Sequence, residues 1–96
     1  MNEYLIKKQK NNIYELRLVK HPDSCLTMKL LKNSVYCAVS THVFFDDRGH
    51  GIGKLLYQAM IDYIRKQKAK FNAACSFIMK QADLDKTVKD IYLPNL

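Results

Sequence analysis

Apolar and polar residues alternate along the first half of the chain, which is the period of β-strands with one buried face. Residues 4–7 and 13–19 are predicted as short strands, separated by the polar turn "KQKNN". The segment "SCLTMKLL", residues 24–31, alternates in the same way and ends at the turn signal "KNS". The run "VYCAVSTHVFF", residues 35–45, is apolar on both sides, which predicts a central strand.

From residue 52 the hydrophobic period changes to that of an amphipathic helix. The members of its apolar stripe are Ile52, Leu55, Leu56, Ala59, Met60, Tyr63 and Ile64. Core packing explains this stripe without any ligand. The following run "FNAACSFIM", residues 71–79, predicts a strand that leads into a short helix, whereas residues 85–93 are ambiguous up to Pro94.

The order of these elements predicts a mixed α/β fold. An antiparallel meander is followed by a strand–helix–strand unit, which favours parallel pairing through a right-handed crossover, and by a short C-terminal helix. The length of 96 residues predicts a single domain, 1–96. In open α/β sheets, ligands bind beyond the carboxyl ends of the strands.

Composition restricts the partners only loosely. The net charge of +7 favours an anionic partner: a nucleic acid, a phosphorylated cofactor or a membrane surface. The basic residues are scattered, so charge alone does not choose among them. No apolar run approaches membrane-spanning length, and three cysteines cannot all pair internally, so we expect a cytoplasmic protein with free thiols. No close cysteine pair is present, and no metal site is expected.

All three glycines of the chain lie in "RGHGIGKLL", directly before the predicted helix. A Walker A loop is excluded, because Arg48 occupies the position of its first glycine and Leu55 follows Lys54. The dinucleotide fingerprint also fails, because its final glycine would fall on another residue type. A third pattern, Arg/Gln-x-x-Gly-x-Gly/Ala, is satisfied by Arg48, Gly51 and Gly53.

This third pattern has a physical use at the start of a helix. The first four N–H groups of a helix lack internal partners and lie at the positive end of its dipole, where a pyrophosphate can accept their bonds. Gly49, Gly51 and Gly53 remove Cβ atoms that would block the approach, while Arg48 and Lys54 add positive charge. The alternative is a glycine-rich strand-to-helix turn without a ligand.

The loop from Arg48 to Gly53, after a long strand and before an amphipathic helix, resembles the acetyl-CoA signature of GNAT-type N-acetyltransferases. The resemblance extends to the short single-domain branch of this family, in which a valine ends the strand five residues before the arginine, here Val43. That branch also carries a cysteine at the end of the next strand, here Cys75 in "CSF". Its tail sequence is matched by Asp90, Ile91 and Tyr92.

The resemblance implies that acetyl-CoA is the cosubstrate. It would lie in a V-shaped opening between the strand ending near Val43 and the strand ending near Cys75. Its pyrophosphate would bind the backbone amides of Arg48 to Lys54, and its pantetheine would bind the main chain around Thr41 to Val43, as a peptide adds to an exposed strand. The implied cosubstrate-binding residues are Thr41, Val43, Arg48, Gly49, His50, Gly51, Ile52, Gly53 and Lys54.

Cys75 is the candidate catalytic residue. The resemblance places its thiol beside the acetyl thioester, where a thiolate can accept the acetyl group and pass it on. Alternatively the amine attacks directly and Cys75 only lines the pocket, or it is a small buried hydrophobe. The short branch commonly has a histidine in place of Ser40 and a tyrosine in place of Val88, which leaves the general base undefined and His42 as a replacement. Tyr92 is expected to pack the tail.

The leading hypothesis is an N-acetyltransferase acting on an unidentified amine, with no membrane partner. A non-catalytic CoA-binding or interaction module is the alternative, because the proton-handling residues are missing. A basic nucleic-acid-binding domain is less favoured, because only the charge supports it and no stacking-aromatic pattern does. The sequence defines neither the acceptor nor the oligomeric state.

Overall fold

The computed structural model describes residues 3–94, which form a five-stranded sheet in the order β1-β2-β3-β4-β5. The strands are β1 (Tyr4–Lys8), β2 (Ile13–Leu18), β3 (His21–Leu30), β4 (Val35–His42) and β5 (Lys70–Ala73). The first four strands are antiparallel neighbours, and β5 pairs with β4 in parallel. The two α-helices are α1 (Ile52–Lys66) and α2 (Ser76–Leu84). The predicted mixed α/β fold is confirmed.

The central strand ends earlier than its apolar sequence predicts. Pairing between β3 and β4 stops where Cys25 faces His42. The N–H of Phe44 donates to the hydroxyl of Ser24 at 2.8 Å, and a 3-10 turn covers Phe45–Asp47. The apolar residues that follow His42 therefore belong to a loop, because a side chain from the neighbouring strand has replaced the ladder partner.

The topology sorts the connections to two ends of the sheet. One end, here called the loop end, carries residues 19–20, the β4–α1 loop at 43–51 and the β5–α2 junction at 74–75. The opposite end, here called the turn end, carries the β1–β2 turn at 9–12, the β3–β4 turn at 31–34 and the α1–β5 connection at 67–69. Helix α1 runs from the loop end to the turn end, because it returns the chain from β4 to the start of β5.

A single buried cluster joins the helices to the sheet. Its fully buried large side chains are Leu16, Leu18, Leu26, Met28, Leu56, Met60, Ile64, Phe71, Ile78 and Val88. The predicted stripe of α1 faces this cluster, although Leu55 and Tyr63 are only half-buried. Among the described residues, no helix is long and apolar enough to cross a membrane.

The ambiguous tail packs along the free edge of β5. The N–H of Phe71 donates to the carbonyl of Ile91 at 2.9 Å, and the N–H of Leu93 donates back to the carbonyl of Phe71 at 2.7 Å. The ring of Tyr92 stacks on that of Phe71 with centroids 5.1 Å apart. The expectation that Tyr92 packs the tail agrees with this arrangement.

We predict that Phe71→Ala lowers the free energy of unfolding by about 3–5 kcal/mol, because the ring is fully buried and also holds the tail. Leu5→Ala is the control, since this side chain is 67% exposed and its loss should change stability by less than about 0.5 kcal/mol. Urea unfolding followed by circular dichroism measures both. Equal midpoints for the two variants would contradict the prediction.

Candidate functional site

A β-bulge in β4 shapes the loop end of the sheet. Met28 faces Ala38 across the ladder, but Thr27 faces Ser40, so Val39 is the extra residue. A bulge bends its strand and reverses the faces of the residues that follow it. Beyond Val39, the strand therefore presents Thr41 to the helix-covered face.

The sheet opens beyond this bulge. Pairing of β5 with β4 ends where Ala73 faces Ala38, and the carbonyl of Ala38 then accepts the N–H groups of both Ala74 (2.9 Å) and Cys75 (3.1 Å). The chain turns there into α2, while β4 continues to His42 without a β5 partner in the described part of the chain. The result is a wedge between the two strands, at the place where the family resemblance implies a V-shaped opening.

Cys75 lies at this wedge, directly before α2. Its half-buried thiol is 3.5 Å from the hydroxyl of Thr41. The register pairs Thr41 with Leu26, which is fully buried on the helix side, but pairs His42 with Cys25 on the other face. The bulge therefore separates His42 from Cys75, which argues against His42 as the replacement base.

The N-terminus of α1 presents unpaired backbone donors. Within residues 3–94, the N–H groups of residues 49–54 form no well-aligned hydrogen bond with a protein acceptor, and the bond from Leu55 to the carbonyl of Gly51 (3.2 Å) comes next. Gly49 and Gly51 adopt left-handed φ values of 79° and 74°, and a Cβ built on either would meet no atom within 4 Å. These two glycines therefore allow the left-handed turn and also leave open space beside the backbone amides.

Gly53 has a packing role in addition to the one that the motif suggests. A Cβ at this position would lie 2.9 Å from Cζ of Phe77, so the aromatic ring of α2 fills the space beside the glycine. The interpretation that Gly53 also clears the way for a ligand stays a prediction. Its missing side chain allows α1 and α2 to approach each other.

The basic side chains of the loop are exposed. The Nε of Arg48 donates to the carbonyl of Val43 at 3.2 Å, and its guanidinium lies 6.0 Å from the ring centroid of Phe45. Arg48 thus closes the loop back onto the end of β4, and the carbonyl of Val43 is already an acceptor. His50 and Lys54 extend into solvent beside the unpaired amides.

A buried polar network, which sequence reasoning missed, fixes the position of the loop. Ser24 is fully buried; its hydroxyl donates to Asp47 at 2.7 Å and accepts from the N–H of Phe44. The ring of His21 approaches the other oxygen of Asp47 at 3.2 Å. The hydrogen bond from Ser24, reinforced by His21, holds the pKa of Asp47 below its usual value. The sequence did contain a signal for this network. Ser24 alternates with Leu26 and Met28 and therefore faces the core, where a buried hydroxyl needs a hydrogen-bond partner.

A groove of about 600 Å³ lies elsewhere, between the two helices. Its lining residues are Lys54, Tyr57, Gln58, Ile61, Gln81, Leu84, Asp85 and Thr87. Tyr57 donates to Asp85 at 2.9 Å, and burial together with this bond raises the pKa of the tyrosine. A phenol held in this way is a poor proton donor. Cys75 and Thr41 are not among the lining residues, so the groove is separate from the wedge.

The fold and the loop together define the class of protein: a mixed α/β domain with a strand–loop–helix unit whose loop amides are unpaired. A model of the GCN5-related N-acetyltransferases matches residues 14–91, so the chain belongs to this family. The resemblance to GNAT-type enzymes is confirmed.

A solved structure supports the same assignment. The chain is similar to the solution NMR structure of a GCN5-like candidate N-acetyltransferase from Staphylococcus aureus, with 25% sequence identity and a TM-score of 0.67. The similarity covers 100% of this chain and 94% of that one. Among curated proteins, none matches the sequence significantly.

We predict that Ser24→Ala lowers the free energy of unfolding by about 1–3 kcal/mol at neutral pH, because it leaves the N–H of Phe44 and one oxygen of Asp47 without this partner. Asp47 stabilises the fold above the unfolded carboxyl pKa of about 3.9, and this contribution is lost as pH falls through the lower folded value. The difference between variant and wild type should therefore shrink in acid.

Thermal unfolding between pH 7 and pH 3 measures this difference. Ser40→Ala is the matched control, because Ser40 is exposed and the same change should cost less than about 0.5 kcal/mol. A difference that stays constant down to pH 3 would show that Asp47 does not carry the effect.

Proposed function

We propose that this single-domain protein binds acetyl-CoA and transfers its acetyl group to an amine. The observation that carries the proposal is the row of unpaired N–H groups at residues 49–54, which lies at the carboxyl end of β4 beside an opened sheet. Family membership supports the same activity. The unpaired cysteines favour a reducing compartment, and we place the activity in the cytoplasm.

The residues of the loop are suited to a diphosphate. Backbone amides at a helix N-terminus combine hydrogen bonds with the positive end of the dipole. Both helices contribute here, because α1 and α2 each begin at the loop end. Arg48, His50 and Lys54 add exposed basic side chains, while the positive φ of Gly51 keeps the approach open.

The second half of β4 is suited to an extended chain with amide groups. A strand directs alternate backbone N–H and C=O groups to each of its edges, and the β5-facing edge from Val39 to His42 has no strand partner in the described residues. The pantetheine part of the cosubstrate carries such amides. Thr41 remains the central contact in this proposal, whereas the carbonyl of Val43 is shared with Arg48.

Acetyl-CoA supplies an activated acyl group as a thioester. Cys75 and Thr41 face each other at the wedge, where they can contact the acyl end. In one route the Cys75 thiolate attacks the thioester carbonyl and CoA leaves as its thiolate. An incoming amine then attacks the acetyl-cysteine, the Cys75 thiolate leaves, and the amine loses a proton. In the other route the amine attacks directly, and Cys75 orients the acyl group.

A non-catalytic CoA-binding module is the second candidate function. It is favoured by the chemistry around Cys75: the register turns Ser40 and His42 to the opposite face, and Tyr92 stacks on Phe71. The position at which the short branch commonly has a tyrosine is a fully buried valine, Val88. Turnover with a panel of amines separates the two candidates, since a module binds acetyl-CoA without releasing CoA.

We predict that acetyl-CoA and CoA, but neither ATP nor NAD at equal concentration, raise the unfolding temperature. A ligand at 100 times its dissociation constant adds about 2.7 kcal/mol of stability. Gly51→Asp should abolish the shift, because the carboxylate competes with the diphosphate for the same amides. Differential scanning fluorimetry measures each shift against the same variant without ligand.

Gly51→Asn is the matched control for charge. Asn and Asp are the side-chain-bearing residues that best tolerate a left-handed φ, so both variants should keep the fold. We expect the neutral variant to retain part of the shift. Full binding of acetyl-CoA by Gly51→Asp would overturn the assignment of the loop.

The relay route predicts that Cys75 gains the mass of one acetyl group when the protein is incubated with acetyl-CoA. Intact-mass analysis followed by peptide mapping locates the adduct, and Cys75→Ala should lose both the adduct and most of the turnover. Cys37→Ala is the control, because Cys37 is a half-buried thiol of β4 outside the wedge. Unchanged turnover in Cys75→Ala would establish direct transfer.

A further inference from the structure

The turn end collects lysines that are dispersed along the sequence. Each of its three connections contains one lysine, at Lys10, Lys32 and Lys68. The flanking positions add Lys8 at the end of β1, Lys66 at the end of α1 and Lys70 at the start of β5. All six side chains are exposed. The fold thus brings lysines that are far apart in the sequence to one end of the sheet. These six lysines form a cationic surface, here called the lysine end.

Few lysines of this surface are held in ion pairs within the described fold. Among residues 3–94, Lys66 pairs with Asp62, whereas Lys8, Lys10, Lys32, Lys68 and Lys70 form no ion pair. The nearby acidic side chains are already engaged: Glu15 by Gln9 and Arg17, Asp62 by Tyr4 and Lys66, Asp83 by Tyr92, and Asp90 by Arg65. These four carboxylates keep their negative charge and offset part of the field of the six lysines, while the five lysines without an ion pair can still contact a partner.

Helix stabilisation accounts for only part of the cluster. Cations near a helix C-terminus offset the negative end of the dipole, so Arg65 and Lys66 stabilise the last turn of α1. Lys10 and Lys32 lie in hairpin turns, outside any α-helix. The side chains of Lys10 and Lys32 form no ion pair within residues 3–94.

We propose that the lysine end binds the phosphate backbone of a nucleic-acid duplex. The two turns have related sequences, "KNN" and "KNS", and so place amide and hydroxyl donors beside the lysines. Lysine, asparagine and serine side chains are common donors to phosphate oxygens. Neighbouring strands lie about 4.8 Å apart, so the two turns are separated by about 10 Å and can contact the same phosphate backbone.

The other polyanions fit this surface less well. Single-stranded binding relies on exposed aromatic rings for base stacking, and the exposed phenylalanines in the described chain, Phe44, Phe45 and Phe77, belong to the loop end. Membrane attachment through basic residues needs a second apolar anchor. The exposed large apolar side chains near the lysine end are Leu31 and Leu93, each less than half exposed. A duplex backbone requires neither feature.

The lysine end and the loop end lie at opposite ends of the sheet. A duplex bound at the turns would leave the wedge beside Cys75 open. The interaction is therefore compatible with the proposed acetyl transfer, and it does not depend on that function.

The test is fluorescence anisotropy with labelled 20-base-pair DNA and RNA duplexes between 50 and 200 mM salt. Contacts from the five unpaired lysines predict a slope of about −4.5 for the logarithm of the binding constant against the logarithm of salt concentration on B-DNA. The triple variant K10E/K32E/K68E should reduce this slope by about 2.7 and weaken binding strongly at every salt concentration.

The matched control is K20E/K80E/K86E, which makes the same change in net charge at exposed positions outside the three turn-end connections. It should keep most of the affinity. K10Q/K32Q/K68Q provides a second test with a smaller electrostatic change. Circular dichroism checks the folding of each variant, and an acetyl-CoA thermal shift reports on the loop end separately.

Equal losses in the two charge-reversal variants would overturn the proposal, because they would show that only net charge matters. Absence of duplex binding at 50 mM salt would overturn it too. The same holds for wild-type protein that binds phosphatidylserine vesicles but neither duplex. A retained acetyl-CoA shift in any of these cases would leave the proposed enzyme activity intact.

Discussion

The carbonyl oxygen of Ala38 is the point on which the candidate site depends. It accepts N–H groups from Ala74 and Cys75, so the parallel pairing of β4 and β5 ends at that atom. One residue later the bulge at Val39 reverses the faces of β4. A strand that stayed paired would have closed the wedge with backbone hydrogen bonds. The parting of the strands leaves Thr41 and Cys75 facing each other.

The loop after β4 combines an open surface with a fixed position. Its amides from Gly49 onward are unpaired, yet its first residues are held by the buried hydroxyl of Ser24 through Phe44 and Asp47. This arrangement keeps the backbone N–H groups oriented and leaves them free to bind a ligand. This is the physical basis of preorganised anion binding, in which the ordering cost is met during folding.

Sequence reasoning predicted the elements that follow from local pattern. The alternation of Leu26 and Met28 predicted β3, and the stripe of α1 identified the helix from its first turn. The strand–helix–strand order predicted the parallel pairing of β5. The motif at Arg48 also predicted a helix N-terminus at the carboxyl end of β4, as the structure places it.

The remaining features depend on contacts between distant residues. Nothing local to Val39 signals a bulge, because the extra residue is defined by its partner strand. Gly53 fits the motif, but the sequence does not show that the ring of Phe77 packs against it. The partnership of Ser24 with Asp47 joins positions that are 23 residues apart. Likewise, the lysine end exists only after three separate connections meet.

The pairing of Leu93 and Ile91 with Phe71 also closes one edge of the sheet. It covers the backbone of β5 at one margin of the sheet, so that β1 is the unprotected margin of the described fold. That margin carries Lys7 and Lys8, whose charges oppose stacking of one molecule on another. A chain cut before Asp90 would uncover a second, largely apolar margin. Residues 91–93 thus cover a strand edge that could otherwise pair with another molecule.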